Sequence, residues 1–208
     1  MITVVDYHMG NIGSVLNMFR RLNVPVERSA DPVVLARAKV LVLPGVGAFD
    51  HGMENLKRLG LIEVLSERVV QQQTPVLGIC LGMQLLSRRS EEGQVPGLGW
   101  IAGDTVRFRF DPQTTGLRIP HMGWNDVRPR PGDGLIPTQE RPPRFYFVHS
   151  YHFICDREED VLATCHYGYD FACAVRRGHI TGVQFHPEKS HRYGMALLRN
   201  FATAVGAC

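Results

Sequence analysis

The segment Gly78-Ile79-Cys80-Leu81-Gly82 has the residue types and spacing of a nucleophile elbow. An apolar run precedes Cys80 and a helix-compatible run, 83–86, follows it, which is the strand–turn–helix setting in which a sharp turn exposes a nucleophile. The flanking glycines allow backbone dihedrals and close approaches that a β-carbon would oppose. A cysteine that opens a helix lies at its positive end, which favours the reactive thiolate. We therefore predict that Cys80 is a catalytic nucleophile rather than a buried structural cysteine.

His186 is the best-placed base for this nucleophile among the nine histidines of the chain. It follows an apolar run, and α/β enzymes gather their active-site groups where strands end. Glu188 lies two residues further on. In an extended segment its carboxylate would lie on the same side as the imidazole and hold the imidazole tautomer. The sequence thus predicts a triad of Cys80, His186 and Glu188.

The same chemistry needs donors for a developing oxyanion. The first candidate is the backbone N–H of Leu81, the residue after the nucleophile. The second is the loop of Gly45, Val46 and Gly47, because glycines let a peptide plane turn toward a substrate without steric cost. The sequence leaves open which amide of this loop donates.

Cysteine and glycine spacing argue against bound cofactors. The five cysteines are Cys80, Cys155, Cys165, Cys173 and Cys208. No pair has C-x-x-C spacing, so neither a zinc site nor a disulfide framework is predicted, and the role of the last four beyond packing stays open. The glycine pairs at 45/47 and 10/13 complete no dinucleotide fingerprint. We predict no metal and no cofactor.

Composition favours a soluble cytoplasmic protein with one domain over residues 1–208. The chain is 44% hydrophobic, and its net charge of +3 comes from mixed charges of both signs. Such a distribution has no basic patch typical of nucleic-acid binding. No apolar run approaches the length of a membrane span, and the N-terminus lacks the pattern of a signal peptide.

Apolar runs alternate with helical patterns in the first half of the chain, which predicts a parallel sheet covered by helices on both faces. The second half has short runs separated by turn residues, which predicts mixed or antiparallel additions to the same sheet. The stretch 128–144 contains five prolines and two glycines and predicts an exposed loop. Predicted strands cover 2–5, 24–27, 40–43, 75–79, 105–110, 145–149, 161–166, 172–175 and 180–185, and predicted helices 12–22, 61–72 and 195–205. The expected fold is therefore an open, mixed and mostly parallel α/β sheet with a small antiparallel addition.

Five segments resemble the class I glutamine amidotransferases of the triad type, and among these the glutaminase subunits of imidazole glycerol phosphate synthase. They are 44–47 (Pro-Gly-Val-Gly), 78–84 (Gly-Ile-Cys-Leu-Gly-Met-Gln), 120–125 (Pro-His-Met-Gly-Trp-Asn), 147–151 (Phe-Val-His-Ser-Tyr) and 184–190 (Gln-Phe-His-Pro-Glu-Lys-Ser). The elbow and the His-Pro-Glu motif mark the superfamily. Met83 and the segment 121–125 point to the histidine-pathway branch. The resemblance covers essentially the whole chain.

The resemblance implies that Cys80 attacks the side-chain amide of glutamine and forms a glutamyl thioester. The amide of Leu81 and the loop 45–47 would then hold the oxyanion. Gln84 and Glu92 would hold the α-amino and α-carboxylate end of glutamine, although the residues alone also fit two solvated positions near a helix end. The implied glutamine-binding residues are Gln84, Glu92, Ser150 and Tyr151.

The resemblance also implies a partner, a separate cyclase subunit with a (β/α)8 barrel. This partner uses ammonia to make imidazole glycerol phosphate and an aminoimidazole carboxamide ribotide. The glutaminase would form a heterodimer with it and stay nearly silent until the cyclase binds a nucleotide. His8 stands where the family often has glycine, near the implied interface. The residues implied to face the partner are His121, Met122, Trp124, Asn125 and Lys189, with the tryptophan as an anchor.

Three other functions fit parts of the pattern. A paralogous glutaminase would supply ammonia for sugar amidation in surface polysaccharide synthesis, but the segment 121–125 argues against it. A non-catalytic binding subunit would not need an intact Cys80, His186 and Glu188. A stand-alone cysteine peptidase fits the spacing alone, and ammonia release from glutamine would decide against it.

Overall fold

The computed structural model describes residues 1–137 and 140–207 of the chain. Eleven strands form its sheet: β1 (Ile2–Val5), β2 (Val26–Ser29), β3 (Leu41–Gly45), β4 (Val76–Cys80), β5 (Gly103–Arg107), β6 (His121–Pro129), β7 (Arg144–His149), β8 (Tyr151–Cys155), β9 (Val161–Tyr167), β10 (Tyr169–Arg177) and β11 (Ile180–Val183). The helices are α1 (Ile12–Arg21), α2 (Pro32–Leu35), α3 (Phe49–Arg58), α4 (Leu61–Ser66), α5 (Leu81–Gln84), α6 (Pro112–Thr115) and α7 (His191–Ala204). A π-helical turn, Glu67–Gln71, continues α4, and 3-10 turns cover Glu158–Asp160 and Pro187–Lys189.

The strand order along the sheet is β2-β1-β3-β4-β11-β10-β9-β6-β7, with β8 paired to β10 and to β5. The first five strands of this path are parallel, and β10 pairs with β11 in the antiparallel sense. The predicted open, mixed α/β sheet is confirmed. The antiparallel part is larger than the small addition predicted, because it contains six strands.

Alternate residues of the parallel strands feed two apolar layers, one on each face of the sheet. Val42 and Leu77 belong to the layer that also contains the buried side chains of α1 and α7. Leu41 and Val76 belong to the opposite layer, with those of α3 and α4. Because both faces of these strands are buried, their sequences read as continuous apolar runs. The helices therefore cover both faces, as predicted.

Helix α3 and strand β6 are among the elements absent from the sequence prediction, and each absence has a physical reason. Helix α3 buries Phe49, Gly52, Met53 and Leu56. Gly52 has no side chain, so the apolar pattern of this helix is incomplete. The helix packs closely at this position, because a β-carbon added to Gly52 would lie 3.3 Å from side-chain atoms of α5 and of the residue after it. Strand β6 buries a histidine, His121, where an apolar residue is expected.

The stretch 128–144 is only partly the exposed loop that was predicted. Strand β6 extends to Pro129, and Leu135 and Ile136 are buried against the core. Residues 138 and 139 lie outside the described part of the chain. In the described ranges, no helix combines the length and the apolar character needed to cross a membrane.

Candidate active site

Cys80 ends β4 and takes a backbone conformation that side chains rarely adopt, with φ 54° and ψ −110°. Such strain costs roughly 1–3 kcal/mol and persists only where the surroundings fix it. Two glycines permit it. A β-carbon on Gly82 would lie 1.7 Å from the carbonyl oxygen of Leu43, and one on Gly78 would lie 2.7 Å from that of Gly82. The elbow predicted from the sequence is therefore present and packed against β3.

The His186 imidazole and the Glu188 carboxylate form a buried pair, with Nδ1 and Oε1 2.8 Å apart. The predicted reason for their contact was wrong. Pro187–Lys189 is a 3-10 turn rather than an extended segment, and His186 lies three residues beyond the end of β11. The turn nevertheless brings the carboxylate back onto the ring. Glu188 thus fixes the orientation of the imidazole.

The other ring nitrogen of His186 is available to Cys80. His186 Nε2 is buried and has no hydrogen-bond partner among the described residues. Burial by itself lowers the pKa of His186, but the interactions with Cys80 and with Glu188 outweigh it and raise the pKa to about 10. The charged imidazolium of His186 is therefore stabilised by Glu188 on one side and by Cys80 on the other. The three side chains follow the order of a triad, in which the acid contacts the base and the base faces the nucleophile.

A cavity of about 220 Å³ opens onto Cys80. It brings together most of the residues predicted from the sequence as oxyanion donors and glutamine-binding groups. Gly45 is not among its lining residues, because it ends β3 and is buried against Tyr7 and Leu81. The lining residues are Val46, Gly47, Cys80, Leu81, Gln84, Glu92, Pro120, Val148, His149, Ser150 and Tyr151.

Gln84 and Glu92 are held by hydrogen bonds and are not freely solvated. Gln84 is buried, and its Nε2 donates to the carbonyl oxygen of Tyr151 at 3.2 Å and to Oε1 of Gln184 at 3.0 Å. Glu92 accepts the backbone N–H of Phe49 at 2.9 Å. Burial raises the pKa of Glu92 against the effect of that bond. Both side chains line the cavity and are fixed there by these bonds.

Two residues that the sequence reasoning missed also contact the candidate triad. Gln184 is fully buried, and its Nε2 lies 3.7 Å from the Sγ of Cys80. Ser190 is fully buried, and its Oγ donates to the carbonyl oxygen of His186 at 2.6 Å. Both belong to the segment 184–190, so the motif itself was the signal, but only the fold shows where they point.

The residues expected to face a partner divide into surface and interior. Met122 and Trp124 are exposed by 61% and 39%, while His121 is 2% exposed and cannot itself form part of a surface. Trp124 stacks on His191 with ring centroids 5.5 Å apart. Lys189 is exposed, with its ammonium 5.7 Å from the centre of the Tyr146 ring. Asn125 is half-buried beside His121.

His8 has a positive φ of 63°. This left-handed region is one that glycine occupies without steric cost, which explains why a glycine suits this position. His8 is exposed, and its backbone N–H bonds to Asp6. The substitution therefore adds backbone strain at the loop but no buried contact.

The remaining described cysteines are thiols that do not line the cavity of Cys80. Burial raises the pKa of Cys155 and of Cys165 to about 12, and raises that of Cys173 well above its ordinary value. Cys208 lies outside the described residues. A larger cavity, about 550 Å³, is lined by Pro75 and His179 at the opposite end of β4 from Cys80.

Comparison with known proteins agrees with this geometry. The family model described as "Glutamine amidotransferase class-I" matches residues 3–205. The imidazole glycerol phosphate synthase subunit HisH of Bdellovibrio bacteriovorus is 50% identical over 204 residues, which cover 97% of this chain and 99% of that protein. Subunit HisH 2 of Pseudomonas aeruginosa is 48% identical over 206 residues, covering 99% of this chain and 100% of that protein. The chain belongs to the HisH family of class I glutamine amidotransferases.

Solved structures show that the class I amidotransferase fold extends over the full chain. A crystal structure of a glutamine amidotransferase matches with a TM-score of 0.75 at 21% identity, covering 99% of this chain and 98% of that one. A glutamine amidotransferase from Thermotoga maritima matches with a TM-score of 0.63 at 19% identity, covering 99% of this chain and 81% of that one. At this identity the matches establish the fold of this HisH-family chain, and not its substrate.

Proposed function

We propose that this chain is the glutaminase subunit of an imidazole glycerol phosphate synthase, which hydrolyses glutamine and delivers ammonia for histidine biosynthesis. The observation that carries the proposal is the strained Cys80, which lines the cavity and interacts with the His186 of the buried His186–Glu188 pair. Relatives named as HisH subunits, about half identical over nearly their whole length, support the choice of pathway.

The first half of the reaction is acylation of Cys80. The thiolate sulfur bonds to the side-chain amide carbon of glutamine, and the amide oxygen becomes an oxyanion. The backbone N–H of Leu81 and an N–H of the loop 45–47 stabilise this charge. The carbon–nitrogen bond then breaks as His186 passes its proton to the nitrogen, which leaves as ammonia.

The second half is deacylation. A water attacks the thioester carbon while His186 takes its proton. The carbon–sulfur bond breaks, the product leaves with a carboxyl group that releases its proton to solvent to give glutamate, and the Cys80 thiolate and the His186 imidazolium are restored. Glu188 holds the ring throughout. The pKa of His186, raised to about 10, keeps the ring protonated near neutral pH and ready to donate to the leaving nitrogen.

Glutamine selection comes from the polar groups that surround the cavity. Gln84 and Glu92 bind the α-amino and α-carboxylate end of the substrate, and the backbone at Ser150 and Tyr151 completes the pocket. The support is that all four residues line the cavity that contains Cys80. The half-buried carboxylate of Glu92 suits the substrate ammonium.

The ammonia passes to a cyclase subunit with a (β/α)8 barrel, which we propose docks on the exposed Met122 and Trp124, with Asn125 and Lys189 beside them. The glutaminase becomes active when this cyclase docks and binds a nucleotide. Residues 1–208 act as one domain, as the family match over 3–205 and the continuous sheet support. The complex works in the cytoplasm.

The decisive experiment uses the complex with its cyclase. Cys80→Ala should abolish synthesis from glutamine and leave synthesis from added ammonium intact. Loss of both activities would contradict the division of roles. Ammonia release without any imidazole glycerol phosphate synthesis would instead favour a glutaminase for sugar amidation.

A second test addresses the nucleophile directly. A glutamine-mimicking electrophile should label Cys80 and be blocked by glutamine. Cys155, Cys165 and Cys173 serve as internal controls, because burial raises the pKa of each and keeps it a protonated thiol near neutral pH. Equal labelling of all four sites, unaffected by glutamine, would overturn the assignment.

A further inference from the structure

Two buried histidines face each other across strands β6 and β7. His121 and His149 are cross-strand partners, and His121 Nδ1 lies 3.0 Å from His149 Nε2. Both are almost fully buried in a cluster of aromatic rings. His149 lines the cavity of Cys80, whereas His121 lies on the neighbouring strand and does not.

The carbonyl oxygen of Tyr151 lies at one end of this pair and fixes the direction of every hydrogen bond that the two histidines make. His149 Nδ1 lies 2.7 Å from the carbonyl oxygen of Tyr151, which can only accept. His149 Nδ1 therefore carries the hydrogen, and its Nε2 is the acceptor for the N–H at His121 Nδ1. His121 Nε2 is then an acceptor in turn, and Asn125 Nδ2 lies 3.3 Å from it.

This row of bonds requires both rings to be neutral. Burial lowers the pKa of His121 to about 4 and that of His149 well below its ordinary value. A neutral imidazole has one donor and one acceptor, which is what each link uses. The four groups thus form a row of hydrogen bonds that all point from Asn125 toward Tyr151.

The row ends on a carbonyl that the candidate site also uses. The same Tyr151 oxygen accepts from Gln84 Nε2 at 3.2 Å. Gln84 Nε2 also donates to Gln184, whose own Nε2 approaches Cys80. The position of the Tyr151 carbonyl therefore bears on both the substrate-binding side chain and the nucleophile. At the other end, Asn125 is next to the exposed Trp124.

We propose that His121 and His149 are positioning residues, which hold the Tyr151 carbonyl and through it Gln84 in the geometry that binds glutamine. The proposal rests on the proposed glutaminase function. Neither ring acts on the reacting atoms. Their contribution is to connect the strand that carries Trp124 to the glutamine pocket by directional bonds rather than by packing alone.

The test is steady-state kinetics of glutamine hydrolysis by the complex with its cyclase. His149→Phe keeps an aromatic ring but removes the bond to Tyr151, so KM for glutamine should rise about tenfold with a much smaller change in kcat. His149→Asn keeps a donor near the position of Nδ1 and should recover most of that loss. Synthesis from added ammonium should stay unchanged in both.

His152→Phe is the matched control. His152 is another buried histidine of the same aromatic cluster, but its Nε2 pairs with the Tyr169 hydroxyl at 2.8 Å. This variant should lower Tm without changing KM for glutamine. Equal KM changes in His149→Phe and His152→Phe, or no recovery in His149→Asn, would overturn the proposal. An inactive wild-type complex would instead contradict the proposed function.

A measurement on the unsubstituted protein keeps the test independent of how the variants fold. Nitrogen NMR of the imidazoles should show His121 and His149 as Nδ1–H tautomers between about pH 6 and 8. An Nε2–H tautomer of either ring would break the row of bonds and refute the inference.

Discussion

The backbone N–H of His186 donates to the carbonyl oxygen of Tyr146 at 2.9 Å. Ser190 makes a second tie between the same segments, since its Oγ accepts the N–H of Tyr146 at 3.0 Å and donates to the carbonyl oxygen of His186. Tyr146 lies opposite Trp124 in the β6–β7 ladder. The candidate base, His186, is therefore fixed to the strand pair β6–β7, whose residues Met122 and Trp124 are exposed.

Ser190→Ala should loosen this tie. It leaves the N–H of Tyr146 without its acceptor, so the free energy of unfolding should fall by about 1–3 kcal/mol. Because the bond positions His186, kcat for glutamine should fall more than KM rises. Thr181→Val is the control. Thr181 is buried in β11 and is bonded to Arg176, so its loss should affect stability alone. Identical kinetic effects of both variants would show that Ser190 has no special link to the base.

The His186–Cys80 pair predicts a loss of stability at high pH. The folded pKa of His186, about 10, lies above the ordinary value, and both Cys80 and Glu188 favour the charged ring. The stability that the charged His186 ring contributes is therefore fully present below about pH 6.5 and is lost as the pH rises through about 10. Denaturant unfolding from pH 7 to pH 10 should show a steeper fall for the wild type than for Cys80→Ala. Parallel curves would mean that the sulfur does not stabilise the imidazolium.

Buried neutral histidines predict the opposite sensitivity, to acid. Burial lowers the pKa of His152 to about 4. Between about pH 6.5 and pH 4 the unfolded chain therefore binds a proton at this histidine and the folded chain does not. Stability is unaffected above about pH 6.5 and is lost toward pH 4, by about 1.4 kcal/mol per pH unit for each such histidine. Unfolding measured at pH 7.5 and at pH 5 should show a smaller loss in His152→Phe than in the wild type. An equal loss of stability between pH 7.5 and pH 5 in His152→Phe and in the wild type would contradict the neutral state of the buried His152.

The hydroxyl of Tyr7 should contribute nothing to stability. It is fully buried, has no hydrogen-bond partner among the described residues, and lies close enough to Gly45 to clash with a β-carbon added there. Tyr7→Phe should therefore leave the unfolding free energy unchanged or raise it by up to about 1 kcal/mol. Tyr169→Phe, which removes a hydroxyl bonded to His152, should lower it. A clear loss in Tyr7→Phe would reveal a partner for this hydroxyl.

The parallel half of the fold was predictable because strands buried on both faces must be apolar throughout. Strand β1 occupies the predicted residues 2–5, and β4 is shifted by one residue from its predicted bounds. Strand β6 escaped prediction because it buries the polar His121 and exposes Met122. A histidine satisfied by another histidine leaves no trace in an apolar pattern.

The candidate triad of Cys80, His186 and Glu188 was also predictable, because the glycine spacing and the His-Pro-Glu motif that indicate it lie within short segments. The partners of Gln84 were not, since Tyr151 and Gln184 are 67 and 100 residues away along the chain. Such bonds depend on the strand order, which places β11 beside β4 although about a hundred residues separate them in sequence. Local pattern carries no information about them.

Strand β11 lies between β4 and β10, so the two halves of the sheet meet only through residues 180–183 in the described ranges. During synthesis these residues leave the ribosome after the nucleophile strand and all of the antiparallel part. Until then β4 presents an unpaired edge, which is open to wrong pairing with other chains. A nascent chain halted before this strand would thus carry Cys80 without its base and be an aggregation-prone intermediate.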